Sequence, residues 1–426
     1  MGTLSEKLGR RSVESFFWRI LGTACLFFMH ALLGQTLLPE DYGLFSFALS
    51  IVTILVLFTT MGWPKALLRL IPQYVVSKQW RLLKGALVSS QSRSILLSSA
   101  FSLVLLFISQ QVEDASRSTA LFYASLLLPV RSLMLLRRSM FQGLHNVKGS
   151  ILPDEVLLPG IILAGLLLLS PLSISAVFVV YLAVSCGVFL FTLLWFRRLL
   201  PSEMAAAKPV YQHDTWFRLA LPLLFGGLSQ VVLGQCGVVL LGFMDEMEST
   251  GLFSASARIA LFVTFVMTAI NVIGMPMMAS ALHNGDSEGL GEIYRRARLW
   301  SILGALPIFV VLVTFPERVL SLFGSEFTEA ASLLRVLALG QIFNAAVGLA
   351  GSLLVVGGEE RYFMNSMMAV TLLCVLSMLL AIPLWGAMGA ACSYSVSLGV
   401  LSLLQLYRAE NIIHASNVDR KPSVYE

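Results

Sequence analysis

The chain has 426 residues, 57% hydrophobic and 12% charged, with a net charge of +5 and a mean hydropathy of +0.83. Soluble domains carry about 25% charged residues, so this composition excludes an ordinary soluble protein. Apolar runs of about 20 residues, enough to cross a bilayer as a helix, make up most of it.

In chain order, the charged start MGTLSEKLGRRSVESFFWRILG enters a long apolar run at 20–38 with no small-residue cleavage site. It reads as a first span rather than a secretory signal. Spans two and three are expected at 42–64 and 94–112. Between them, KALLRLIPQYVVSKQWRLLKGAL (65–87) alternates basic with apolar residues. That pattern suits a short helix lying on the inner leaflet and drawn to anionic lipid. Span four, 119–143, contains Arg131. The run 156–196 is too long for one span and breaks at LSPLS (169–173), giving spans five and six. After the polar linker PSEMAAAKPVYQHD come runs at 219–244, 259–282, 299–315 and 336–358. The last run, 362–407, breaks at IPLWGAMG (382–389) into spans eleven and twelve. The expected fold is an all-α integral membrane protein with twelve transmembrane helices. Its parts are a six-helix bundle (1–200), a cytoplasmic linker (201–214), a second six-helix bundle (215–410) and a cytoplasmic tail (411–426).

Charge placement orients it. With the N-terminus inside, the outer loops contain only Arg117 and Arg318 as basic residues, with the acids Glu40, Asp41, Glu113, Asp114, Asp245, Glu246, Glu248, Glu317, Glu326 and Glu329. The remaining loop cations fall inside, which is the positive-inside pattern. The net charge therefore reads as membrane orientation, with both termini cytoplasmic in the inner membrane, and not as nucleic-acid binding. The five cysteines lie in apolar runs as small packing residues, without disulfide or zinc spacing.

Landmarks recur. GLFS occurs at 43–46 and 251–254, Pro64 and Pro276 are 212 residues apart, and so are Pro171 and Pro383. Six spans per half makes the repeats parallel, with a cavity expected between them.

Three arginines fall inside spans: Arg131, Arg258 and Arg335. A charge near the bilayer centre costs roughly 2.5–3.5 kcal/mol or more. Arg258 follows the outer acidic loop by eight residues, roughly 12 Å at 1.5 Å per residue. Each arginine either snorkels to outer phosphates or pairs with an acid, or all three line a wet cavity for an anion. Phosphate fits that cavity best, because guanidinium presents a planar fork of donors and stays charged when dehydrated. Asp154 and Glu155, in ILPDEVLLPG, either carry a coupling proton or sodium ion or pair with Arg137, Arg138 or Lys148. Glu14 and Asp214 are expected partners of Arg19 and Arg218. His30 and His145 read as packing residues. No phosphate loop, H-E-x-x-H or cysteine–histidine metal spacing is present. No cofactor and no enzymatic site are therefore expected, and the outer loops are too short to house a glycan polymerase or ligase.

LLGQTLLPEDYGLFSFALSIVTILVLFTTMGWPKALLRLIPQY, FGSEFTEAASLLRVLALGQIFNAAVGLAGSLLVVGGEERYF and GAMGAACSYSVS resemble the polysaccharide-transport branch of the multidrug/oligosaccharidyl-lipid/polysaccharide exporter superfamily. These are the lipid-linked oligosaccharide (O-antigen type) flippases of lipopolysaccharide and other surface glycans. The resemblance implies two six-helix bundles forming a V. It also implies transfer of an isoprenoid-pyrophosphate-linked sugar from inner to outer leaflet by alternating access, alongside other polysaccharide-assembly proteins. Cavity arginines would meet the pyrophosphate; depth alone assigns Arg131, Arg258 and Arg335 to that role. The alternative is a drug or cation antiporter of the same superfamily, which would use buried carboxylates. Membrane-depth charges here are mostly positive, which weighs against it.

Overall fold

The structure, a computed structural model, describes residues 4–169 and 173–418, and among these it contains no strand. Two compact units divide the chain, Met1–Gln235 and Cys236–Glu426.

The first unit opens with α1 (Leu4–Thr36) and α2 (Pro39–Thr60). Pro39 starts α2, where a missing N–H is harmless, and Glu40 and Asp41 complement the helix N-terminus. Met61 and Gly62, both with positive φ, turn the chain into α3 (Trp63–Val76). This helix is strongly amphipathic. It buries Trp63, Leu67, Leu70, Ile71 and Tyr74 and exposes Lys65 and Arg69. The expected surface helix thus exists, but it covers only part of 65–87. From Trp80 the chain already belongs to the spanning helix α4 (Trp80–Gln111), because Leu83, Ala86 and Leu87 join the core against α3.

The helix α5 (Ala115–Gly143) is capped by the Asp114 carboxylate, which accepts from the Ser116 and Arg117 N–H groups. There follow α6 (Val147–Ile151), a π turn at Leu152–Leu157, α7 (Leu158–Leu169), α8 (Ile174–Leu199) and the short α9 (Ser202–Ala206). Most of the predicted break at 169–173 lies outside the described residues, which resume with Ser173 capping α8.

The first part of α10 (His213–Met244) completes this unit. The division thus falls later than the 201–214 linker because packing anchors that stretch to the first bundle. The Val210 N–H donates to the Arg81 carbonyl at 3.0 Å, Trp216 is fully buried, and the Ser50 hydroxyl donates to Gln235 Oε1 at 2.8 Å. A methyl group on Gly85 would stand 1.9 Å from the Val210 carbonyl oxygen. Backbone cannot yield as a flexible side chain does, so Gly85→Val is expected to destabilise by at least about 1–3 kcal/mol. Faster chymotryptic cleavage at the exposed Tyr211 in the purified variant would report the undocked linker.

The second unit continues from α10 into α11 (Met247–Ala260), a 3-10 turn at Leu261–Thr264, and α12 (Phe265–His283). Next come α13 (Ser287–Thr314), α14 (Pro316–Leu320), a 3-10 turn at Ser325–Ala330, α15 (Ala331–Val347), α16 (Ala350–Val356) and α17 (Glu360–Val418). Span ten, expected at 336–358, is corrected: Gly348 at φ +67 ends α15, and α16 is separate. Gly386 (φ 54, ψ −136) breaks α17 where IPLWGAMG predicts a break. Eleven described helical stretches are long and apolar enough to cross a membrane. The last, Glu360–Ile413, is broken at Gly386 and is long enough for two of the twelve expected spans.

The repeated GLFS segments occupy equivalent places. Each lies about one turn inside a helix that follows an acidic turn, α2 in one unit and α11 in the other. His30 is buried and bonded to Tyr42, as a packing histidine should be. Sequence spacing does not foretell that Cys236 and Cys374 meet, beside Met378, whose sulfur lies 3.7 Å from Cys236 Sγ. Both thiols are free.

Candidate functional site

In the first unit the candidate polar groups gather around the π turn. Pro153 has no N–H to give the helical ladder, and the Leu158 N–H reaches back five residues to the Pro153 carbonyl. The widened turn carries Asp154 and Glu155. Such turns inside helices are frequent at functional sites. A Cβ on Gly22 would lie 2.8 Å from the Glu155 carbonyl oxygen, so α1 presses closely on this turn.

Glu155 pairs with Arg138, the structural role left open by its sequence. Asp154 differs. Its Oδ1 is buried and has no hydrogen-bond partner among the described residues, and its charge interacts with Arg131. Arg131 follows Pro129 in α5. It contacts Met134 Sδ at 4.0 Å and has Tyr181 of α8 in its electrostatic surroundings. Six residues further along α5, Arg137 donates to Gln91 Oε1 at 3.1 Å and lies 4.7 Å over the Phe196 ring. Sequence reasoning missed Gln91 and Tyr181. Neither carries charge, and no local spacing ties them to the arginines.

At the basic end of this unit, Lys65 faces α10, where a Cβ on Gly227 would lie 3.4 Å from its ammonium nitrogen. Although the side chain is exposed overall, partial desolvation of its ammonium against α10 pushes it below the ordinary lysine value.

In the second unit, Arg258 closes the last turn of α11, just before the 3-10 turn. Its Nε is buried and unpartnered among the described residues. A donor of that kind costs about 1–3 kcal/mol to leave unmade, so a ligand or water that accepts from it would stabilise the site. Arg335 stands otherwise. It is exposed, donates from Nε to the Val313 carbonyl at 3.1 Å, and pairs with Glu317 at 3.3 Å. The structure places Arg131 with Asp154, and Arg335 with an acid of the loop beside it.

A family model described as polysaccharide biosynthesis protein matches residues 17–282, well over half of the chain. The chain belongs to the polysaccharide biosynthesis protein family. An uncharacterized membrane protein of Methanocaldococcus jannaschii is 20% identical to this polysaccharide biosynthesis protein, over 96% of this chain and 86% of its own. An inward-facing multidrug resistance MATE family transporter of the MOP superfamily superposes with a TM-score of 0.74 at 14% identity, covering 95% of this chain and 99% of that one. A MOP superfamily transporter from Pyrococcus furiosus, for which a binding pocket of reverse polarity suggests a different function, superposes at 0.61 and 13% identity over 96% of both chains. This polysaccharide biosynthesis protein is thus a multi-pass, all-α membrane protein with the fold of MOP superfamily transporters.

Proposed function

We propose that this chain is a flippase. It moves an isoprenoid-pyrophosphate-linked oligosaccharide from the inner to the outer leaflet by alternating access, for surface polysaccharide assembly. Neither pyrophosphate nor sugar dissolves in hydrocarbon, so each needs polar surroundings that replace its water while the tail stays in lipid. The observation that carries this reading is the buried Nε of Arg258, unpartnered among the described residues in a stretch long and apolar enough to cross a membrane, in a chain of this family. Arg258 is the second unit's candidate for the pyrophosphate, and Arg131, beside Asp154, is the first unit's. Arg335, held by Glu317, frames the acidic end of its unit. The charge bias puts both termini in the cytoplasm, in the inner membrane, with other polysaccharide-assembly proteins as partners. Purified protein in liposomes should translocate a fluorescent lipid-linked glycan; no translocation above protein-free liposomes would defeat the reading.

Asp154 supplies the coupling. Its buried oxygen, beside Arg131 and without a hydrogen-bond partner among the described residues, is an acceptor open to a coupling ion. Asp154→Asn retains the shape and removes the charge. In liposomes with an imposed proton or sodium gradient, the variant's flipping rate is expected to equal its gradient-free rate, while the native rate rises with the gradient. A variant as gradient-sensitive as the native protein would remove Asp154 from the coupling role.

The same carboxylate favours the second reading, a drug or cation antiporter of the superfamily. Ethidium efflux that depends on Asp154, together with absent glycan flipping, would select it.

A further inference from the structure

A groove of about 350 Å³ opens in the first unit between the π turn and the end of α8, lined by Leu152, Phe191, Leu194, Trp195 and Arg198. The four α8 residues recur at i, i+3, i+4 and i+7 and so share one helix face. Phe191 and Leu194 leave 46% and 58% of their surface uncovered, and Trp195 rests against Phe141 and Phe191. Four walls are apolar, and the fifth is the last-turn arginine of a spanning helix at its basic end.

Arg198 is exposed, and among the described residues it makes no hydrogen bond or ion pair. Its neighbours are committed: Arg137 to Gln91 and the Phe196 ring, Arg138 to Glu155. An unengaged guanidinium therefore tops an apolar slot at the basic end of a helix long enough to span a membrane. The matching chemistry is one acyl chain below one phosphate. In a zwitterionic lipid the phosphate's charge is offset by its own ammonium, so an anionic headgroup is the better complement.

The slot also borders a structurally weak place. Leu152 is the first residue of the π turn, whose widened ladder is a rare departure from α-geometry. An acyl chain lying between Leu152 and α8 would support that turn, which α1 already contacts at Gly22.

We propose that this groove binds an anionic phospholipid of the inner leaflet, with its phosphate on Arg198 and an acyl chain along Leu152, Phe191, Leu194 and Trp195, and that occupancy braces the π turn carrying Asp154 and Glu155. The proposal needs only the basic end to face an anionic leaflet and does not depend on which cargo the protein carries.

The test uses the full chain in phosphatidylcholine nanodiscs doped with phosphatidylglycerol, read by native mass spectrometry for retained lipid and by hydrogen exchange over 152–157. The native protein should retain phosphatidylglycerol, with slower exchange in the π turn than in phosphatidylcholine alone. Arg198→Ala should lower retention about fivefold, the attraction expected of one basic residue near the surface. Leu194→Trp, which fills the slot and alters no charge, should lower it comparably. Arg197→Ala, an adjacent exposed arginine outside the groove, should leave it unchanged. Equal losses in Arg197→Ala and Arg198→Ala would mean diffuse attraction and overturn the site. So would native-like retention by Leu194→Trp, or retention of phosphatidylcholine as strong as that of phosphatidylglycerol. Unaltered exchange at 152–157 on lipid binding would overturn the bracing.

Discussion

Arg258→Ala is expected to abolish surface glycan while the protein still accumulates in membranes at native levels. The two halves of this result rest on the same atom. Arg258 Nε makes no hydrogen bond to the described protein, so truncating the side chain breaks no internal bond there and removes a charge that is costly at that depth. Folding should not suffer. Cargo binding should. A charge-assisted hydrogen bond contributes about 1.5–3 kcal/mol, and a guanidinium can offer phosphate two in parallel. Losing both would weaken pyrophosphate binding by roughly two orders of magnitude or more. Arg258→Lys keeps the charge and loses the fork, so it should fall between native and alanine. Glycan at the cell surface, detected by lectin or gel, is compared with the membrane-fraction immunoblot. Full glycan with Arg258→Ala would count decisively against the pyrophosphate role.

Trp216→Ala is expected to lower the stability of the first unit by about 3–5 kcal/mol, the usual loss for truncating a buried tryptophan. Trp216 is fully buried, meets the Trp63 ring edge-on at 6.1 Å and donates from its indole nitrogen to the Tyr74 hydroxyl at 2.9 Å. Both partners lie in α3, and the Trp216 ring also sits over Gly85 of α4. One side chain thus holds the surface helix, the third span and the start of α10 in a single cluster. Trp216→Phe keeps much of the apolar area but drops the indole donor, so it should lie between the two. The thermal midpoint of monodisperse protein in detergent should rank native above Trp216→Phe above Trp216→Ala. A Trp216→Ala midpoint equal to the native value would show that the cluster does not hold these elements together.

Several parts of the architecture were legible residue by residue. The acidic starts of α2 and α11, the GLFS segments and the breaker IPLWGAMG all appear where their sequence puts them. The candidate site was legible in part. Arg131, Asp154 and Glu155 stand out because charge is rare in spans, and the open choice between partner and function at Glu155 and Arg335 depends on a neighbour. Arg138 and Glu317 provide those neighbours. The π turn was not foreseen, because Pro153 alone permits a break, a kink or a bulge, and packing against α1 is what selects among them.

By itself the sequence determined that the chain is a multi-pass helical membrane protein, and which ends of its spans are basic. Transfer from water to lipid depends on what about 20 consecutive residues contain, and charge bias depends only on which loops hold the cations. Tertiary structure alone decided that Asp154 Oδ1 has no hydrogen-bond partner among the described residues while Glu155 pairs with Arg138, that Gln91 serves Arg137 across 46 residues, and that Trp216 reaches Tyr74 across 142. Such pairings depend on how each helix is rotated against its neighbours, and composition along one helix does not carry that rotation.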